Sequence, residues 1–281
     1  MLIDTHAHLN FPEFTADLPA LLARAEAAGV GRIITIGTSV EGSREAVALA
    51  EQHPHLFAAV GVHPNAATDA ADNFIEELRV LARHPKVVAI GEIGLDYHRL
   101  PSTQPGAPES AAATDELDAR HKAVQAVVFQ RQLALALELG LNVVIHERDS
   151  WDDTVAGLRA YTGQLRAVFH CFGKSPAQAR QIMADGHLIS FTGILTFKNA
   201  ALLQQTAVEI PDDSFMVETD CPYLAPVPNR GKRCEPAWVR LVAEHLARLR
   251  GTTLEAIAAQ TTATAQRFFR FQGGDEEKYE G

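Results

Sequence analysis

Val87-Val88-Ala89-Ile90-Gly91-Glu92-Ile93-Gly94-Leu95-Asp96 decides the fold: it is a β-branched, apolar run that carries carboxylates only toward its end. Residues of this type bounded by turn formers read as a strand. Outward from it the pattern repeats. Leu2–Leu9, Arg32–Thr38 and Leu56–Pro64 precede it, and Asn142–Arg148, Arg166–Phe172, His187–Gly193 and Phe215–Asp220 follow, making eight such runs. Between them, apolar residues return every three or four positions in Asp17–Ala28, Glu41–Gln52, Phe74–Arg83, Val124–Leu139, Pro176–Ala184 and Ala237–Arg250, the spacing of amphipathic helices. Gly29, Gly140 and Gly186 follow three of these, where a helix C-terminus favours glycine. Strands alternating with helices predict parallel βαβ units. Eight strands with eight crossovers predict a closed (β/α)8 TIM barrel, with a doubly wound open sheet as the rival architecture.

A length of 281 residues suits one barrel, and an apolar fraction of 47% supplies a substantial core. Residues 1–272 read as a single barrel, and 273–281 as a polar, acidic, disordered tail in solvent. Leu100–Ala113, rich in Pro, Ser, Gly and Ala, reads as an extended loop that would overhang the C-terminal face of the barrel. The first residues lack a basic region and an apolar core, and no stretch approaches a membrane span, so the chain reads as cytoplasmic with no membrane partner. Cys171, Cys221 and Cys234 show neither an even count nor CxxC spacing, which points to reduced thiols. A net charge of −10 disfavours a broad nucleic-acid surface but leaves room for a local phosphate site.

Position is more informative than composition. His6 and His8 close the first run, His63 the third, Glu92 the fourth, His146 the fifth, His170 the sixth and Asp220 the eighth. Barrel enzymes assemble their sites from residues at these C-terminal strand ends. His6 and His8, two apart, share a strand face and can chelate one cation. A lone pair of histidines at that spacing is often merely exposed or packed, but four further strand-end partners change the weighing. So many buried ionisable groups in one apolar mouth need compensation, which a pair of divalent cations supplies. Imidazole and carboxylate donors without thiolates suit zinc, manganese, iron, nickel or magnesium. Asp96 reads as a turn or helix cap. Glu218, one layer below Asp220, reads as an orienter of a ligand.

The ordered set Asp4-Thr5-His6-Ala7-His8, Gly61-Val62-His63-Pro64, Gly91 through Asp96, Val144-Ile145-His146, His170-Cys171-Phe172 and Glu218-Thr219-Asp220-Cys221-Pro222-Tyr223-Leu224 resembles the TatD-type metal-dependent deoxyribonucleases. The similarity runs on through Arg230-Gly231-Lys232-Arg233 and Glu235-Pro236, covering essentially the whole chain. The resemblance implies an amidohydrolase-like barrel, two divalent metal ions (magnesium, manganese or zinc), and hydrolysis of phosphodiester bonds in DNA, at single strands or 3′ ends. It places His6 and His8 on the first metal with Asp220, Glu92 as a bridge, His146 and His170 on the second metal, and His63 near substrate. The chain departs from related sequences at Gly173-Lys174, where a serine and a glycine are more usual, at Thr264, which lacks a neighbouring asparagine, and in the long Leu100–Ala113 segment.

Two cations about 3.5–4 Å apart can share a hydroxide and stabilise the attacking and leaving oxygens at phosphorus. In that scheme Asp220 and Glu92 are the catalytic carboxylates, with Asp220 orienting the water and accepting its proton. Arg148, on the strand face of His146, offers a guanidinium to phosphate, with a surface ion pair as the plain alternative. Arg230, Lys232 and Arg233 form a basic loop suited to backbone phosphates, or simply a solvated one. Trp151 and Trp238 read as packed rather than base-stacking, and the remaining histidines, His98 among them, receive no role. Two rival functions stand beside the nuclease: a barrel hydrolase of a small cyclic amide, lactone or phosphoester, and a non-enzymatic metal-binding scaffold. Glu92 at strand four, where many small-substrate relatives carry a modified lysine at a strand end, and the intact ligand set favour the nuclease.

Overall fold

Parallel pairing runs through eight strands in strict sequence order. The structure is a computed structural model and describes residues 1–106 and 110–271. Strands β1 (Leu2–Ala7), β2 (Val30–Ile36), β3 (Leu56–Val60), β4 (Val87–Asp96), β5 (Asn142–Arg148), β6 (Ala167–Phe169), β7 (Leu188–Phe191) and β8 (Phe215–Val217) alternate with helices. The helices are α1 (Leu18–Ala27), α2 (Val40–Gln52), α3 (Phe74–Leu81), α4 (Ala111–Leu139), α5 (Trp151–Arg159), α6 (Pro176–Ala184), α7 (Ala201–Glu209) and α8 (Val239–Arg250), with α9 (Leu254–Phe269) last. The ring closes through a bridge from Ala7 to Cys221, where the His8 N–H donates to the Cys221 carbonyl and the Asp220 N–H to the His6 carbonyl, each at 2.9 Å. Sequential order and closure rule out the doubly wound sheet and establish the (β/α)8 barrel.

Apolar strands form two interfaces. Outward-facing residues pack on the helical ring; inside the barrel, Ile3, Ile34, Phe57, Val144, Val168 and Met216 meet Phe268 and Phe269 of α9. Helix α9 therefore plugs the N-terminal end, and Asn142 ties it to β5 by donating to the Phe268 carbonyl at 2.6 Å. The opposite, C-terminal end stays open, so polar strand ends gather there.

Several strands are shorter than the apolar runs predict. His8, His63, His170 and Asp220 lie just past the last ladder bonds of β1, β3, β6 and β8, where the chain already turns outward. Helix α4 begins at Ala111, not near Val124, so the expected Leu100–Ala113 loop is shortened at its end by the first turn of α4 and carries a 3-10 turn at Pro101–Thr103. The run Ala111-Ala112-Ala113 explains this: alanine is the strongest helix former yet adds little to a periodicity search. Residues 107–109 of that segment and the 273–281 tail lie outside the described residues. Helix α7 escaped the periodicity reading because Leu202 and Val208 face solvent, which blurs its apolar stripe. Trp151 packs on Phe169 and Phe172, and Trp238 against the core.

Among the described residues, no helix is long and apolar enough to cross a membrane.

Candidate metal centre

Six strand-end side chains converge at the open end around Glu92. Its Oε1 lies 2.7 Å from both His146 Nδ1 and His170 Nε2, and its Oε2 lies 3.5 Å from His6 Nε2 and 3.9 Å from His8 Nε2. Asp220 Oδ1 closes the other side, 3.6 Å from His6 Nε2 and 3.4 Å from His8 Nε2. Five of the six fall into the ligand-capable triads His6–Glu92–His170 and His6–His8–Asp220, and His146 falls into a third, with His63 and Glu92. Thus every residue expected to bind metal is brought into one cluster, and His63 joins it.

The backbone explains this precision. Gly94 pairs with His146 in the β4–β5 register, at φ 147°, and a Cβ there would meet the His146 carbonyl oxygen at 2.0 Å. Only glycine lets β5 come close enough to bring His146 onto Glu92. Asp220 sits in the left-handed region, φ 57°, which aspartate tolerates better than most residues and which turns the chain sharply after β8. Two buried amides on α4 brace the strand ends. Gln132 clamps Val62 through its N–H (2.7 Å) and carbonyl (3.0 Å), and Gln125 clamps Asp96 in the same way at 3.0 Å each.

Outer contacts fix the rings. His8 Nδ1 faces the Ile36 carbonyl at 3.2 Å, so the proton sits on Nδ1 and the Nε2 lone pair points into the cluster. His146 turns Nε2 to Asp96 Oδ2 at 3.2 Å, while the same carboxylate caps the following turn through His98 and Arg99 N–H groups. The cap expected for Asp96 is present, but the residue also touches the centre. Glu218 accepts from the Cys171 N–H and the Ser190 hydroxyl, and faces His170 Nδ1 at 3.5 Å, an ion-pair distance rather than a hydrogen bond. His63 differs. Its Nδ1 accepts the Asn65 N–H at 3.0 Å, so the neutral ring carries its proton on Nε2, 3.5 Å from Glu92.

The donor chemistry fits divalent cations. His6 Nε2 and His8 Nε2 are 3.3 Å apart, His146 Nδ1 and His170 Nε2 3.2 Å apart, and both pairs face carboxylate oxygens. Converging imidazole nitrogens and carboxylate oxygens are the donor set a divalent cation takes. Burial opposes charge on the His170 imidazole, yet Glu92 pushes its pKa up, so that without a cation a proton can stand in for the metal. His6 Nδ1 is also buried without a partner. Burial works against the charge on Glu92, but the surrounding His170, His63 and His146 hold its carboxyl well below the usual range. Burial pushes the His63 imidazole down to about 3, keeping it neutral.

The cleft above, about 740 Å3, is lined by these groups and by Arg99, Arg148, Phe11 and Tyr223. Arg148 is exposed at the lining and, among the described residues, has no ion-pair partner. Arg230 stacks on Phe197 at 4.1 Å and is absent from the lining. Arg233 is committed to Asp17 at 2.7 Å and to Phe14, which removes it from the basic phosphate loop. Lys174 pairs with Glu147 at 3.1 Å. His98 pairs with Asp149 on the surface. Phe11, Tyr223 and Arg99 went unrecognised in sequence because they sit on loops without periodicity.

A parallel eight-stranded barrel with imidazoles and carboxylates gathered at its C-terminal strand ends has the architecture of a metal-dependent hydrolase. The family model described as TatD related DNase matches residues 3–270. The chain belongs to this family of metal-dependent hydrolases. It is 40% identical over 271 residues to the uncharacterized metal-dependent hydrolase YabD of Bacillus subtilis, covering 96% of this chain and 99% of YabD. It is 34% identical over 275 residues to the 3'-5' ssDNA/RNA exonuclease TatD of Erwinia tasmaniensis, with 95% and 99% covered. The crystal structure of YJJV, a TatD homologue from Escherichia coli, superposes with a TM-score of 0.83 at 30% identity, covering 96% of this chain and 98% of that one.

Proposed function

We propose that this protein hydrolyses phosphodiester bonds in single-stranded DNA, trimming from 3′ ends, with two divalent cations held by His6, His8, Glu92, His146, His170 and Asp220. The observation that carries the reading is the convergence of these side chains on Glu92 and Asp220, with all but the buried His6 lining one open cleft. The relative named as a single-strand exonuclease supports the substrate class. Bound cations would supply Lewis acidity, lowering the pKa of water and offsetting charge at phosphorus.

The protein's own groups divide the remaining work. The Asp220 side chain is 13% exposed against 4% for Glu92, so Asp220 is the carboxylate that solvent reaches. Burial opposes its charge, yet the facing His8, His6 and His170 imidazoles hold its carboxyl below the ordinary value, leaving it ionised to orient a water and accept its proton. His63 cannot offer Nδ1 to a cation while it accepts from Asn65, so its Nε2–H serves as a donor to a phosphate oxygen. Arg148 adds a guanidinium at the lining. The small-substrate reading lacks its usual mark, since the described lining residues include no lysine.

The test is release of nucleotides from 3′-labelled single-stranded DNA after chelation and re-addition of magnesium, manganese or zinc. Wild type is expected to regain activity with a metal, and Asp220→Asn to fall by roughly 10²–10⁴-fold in kcat. No release with any metal, from protein that binds cations, would sink the nuclease reading.

A further inference from the structure

The lip of the cleft carries features that the metal centre leaves unused. Phe11, after β1, lies over the His8 ring with centroids 4.7 Å apart and 14° between planes. Tyr223, after β8, stands edge-on to both, 6.4 Å from Phe11 and 6.3 Å from His8, and is 52% exposed. Strands β4 and β5 lie across the ring from β8 and β1. They lead to Arg99 and Arg148, both exposed and both lining the cleft. Among the described residues neither guanidinium has a carboxylate within ion-pair distance. Arg99 also borders a separate outer groove lined by Tyr97, His98, Thr103, Gln104 and Asp149.

An open aromatic face on one side and two unpaired guanidinium groups on the other match a nucleotide chain in which base and phosphate diverge. Aromatic rings bind bases through their π-faces without reading sequence, and arginine contacts phosphate. A base inside a duplex offers no free face; an unpaired one does. Resting on the phosphodiesterase reading, we infer that Tyr223, backed by Phe11, is the stacking platform for the unpaired base beside the scissile phosphate, and that Arg99 and Arg148 take neighbouring phosphates of the same strand. Tyr223 is thus a specificity-determining residue that favours unpaired ends.

The test compares two labelled single-stranded oligonucleotides, one ending in natural nucleotides and one in abasic sites at the 3′ end. Their cleavage and their binding, by fluorescence anisotropy, are measured with metal-reconstituted protein. Wild type prefers the base-bearing end. Tyr223→Ala is expected to raise its KM about tenfold with kcat little changed, and to erase the preference over the abasic end, whereas Tyr223→Phe keeps both. Replacing Arg99 and Arg148 together by alanine weakens both oligonucleotides alike and reduces the salt dependence of binding by roughly 0.7 in slope per lost phosphate contact. Tyr223→Ala retaining the wild-type preference, or slowing both oligonucleotides equally, overturns the subsite. If wild type cleaves neither oligonucleotide, the phosphodiesterase reading fails, and the binding preference of wild type against Tyr223→Ala still decides the subsite.

Discussion

Glu92 faces five imidazoles, those of His6, His8, His63, His146 and His170, from a position that is 3% exposed. Asp96 acts one step out, through His146. Asp96→Asn keeps an oxygen for the His98 and Arg99 N–H groups but loses the charge opposite His146 Nε2. It is expected to weaken metal affinity by about 10–100-fold, read by titration with a competing chelator, while the melting temperature changes little. Unaltered affinity would show that Asp96 serves the turn alone. At this scale the sequence was legible wherever strand position and residue type coincided, as for His6, His8, Glu92 and Asp220. It was silent on Asp96's second contact, because a carboxylate that caps a turn looks the same whether or not its other oxygen reaches a histidine. It was silent on Tyr223 for a similar reason, since nothing in a loop sequence says which aromatic ring will face the cleft.

Helix α4 is the element that couples the scaffold to the site. Gln132 and Gln125, one exposed by 0% and the other by 2%, each satisfy a backbone N–H and C=O at the ends of β3 and β4. Gln132→Leu removes one clamp and leaves the Val62 amide and carbonyl buried without partners, beside His63. The expected cost is about 1–3 kcal/mol in chemical denaturation, with weaker substrate binding; a neutral effect would contradict the clamp. Strand β7 carries a separate pH dependence through His187. Burial lowers its pKa, and its Nδ1 accepts the Ala167 N–H at 3.3 Å. The unfolded imidazole titrates near pH ~6.5, so the unfolded chain takes up a proton that the folded chain refuses. This contribution is therefore complete above that pH and is lost as pH falls below it, by at most about 1.4 kcal/mol per unit. His187→Asn is expected to lose less stability than wild type between pH 7.5 and 5.5; parallel losses would rule the assignment out. Sequence periodicity reached α4 only from Val124 onward, because it registers apolar stripes and the alanine-led, charged stretch that opens the helix carries none.

Across the whole molecule, one end of the barrel is plugged and the other is open. Phe268 and Phe269 of α9 fill the N-terminal end with the inward strand residues, while the bridge from Ala7 to Cys221 closes the ring at the level of the site. The closure and the site share residues: the N–H of Asp220 and the carbonyl of His6 form one of the bonds that join first strand to last. The eight apolar runs gave the strand order while leaving an open sheet as the rival, and this closure decided it; at β3, β6 and β8 the ladder stops before His63, His170 and Asp220, although the apolar pattern runs on. The cluster assembles its donors only in the folded chain, so the barrel as a whole should be more stable with metal than without it. The most direct measurement is calorimetric titration of chelator-treated protein with zinc or manganese, for wild type and Glu92→Gln, with thermal unfolding followed in parallel. The account predicts two cations per wild-type chain, a rise in melting temperature on binding, and loss of at least one site in Glu92→Gln. Equal stoichiometry and affinity in the two proteins, or no cation bound by a folded wild type, would contradict it.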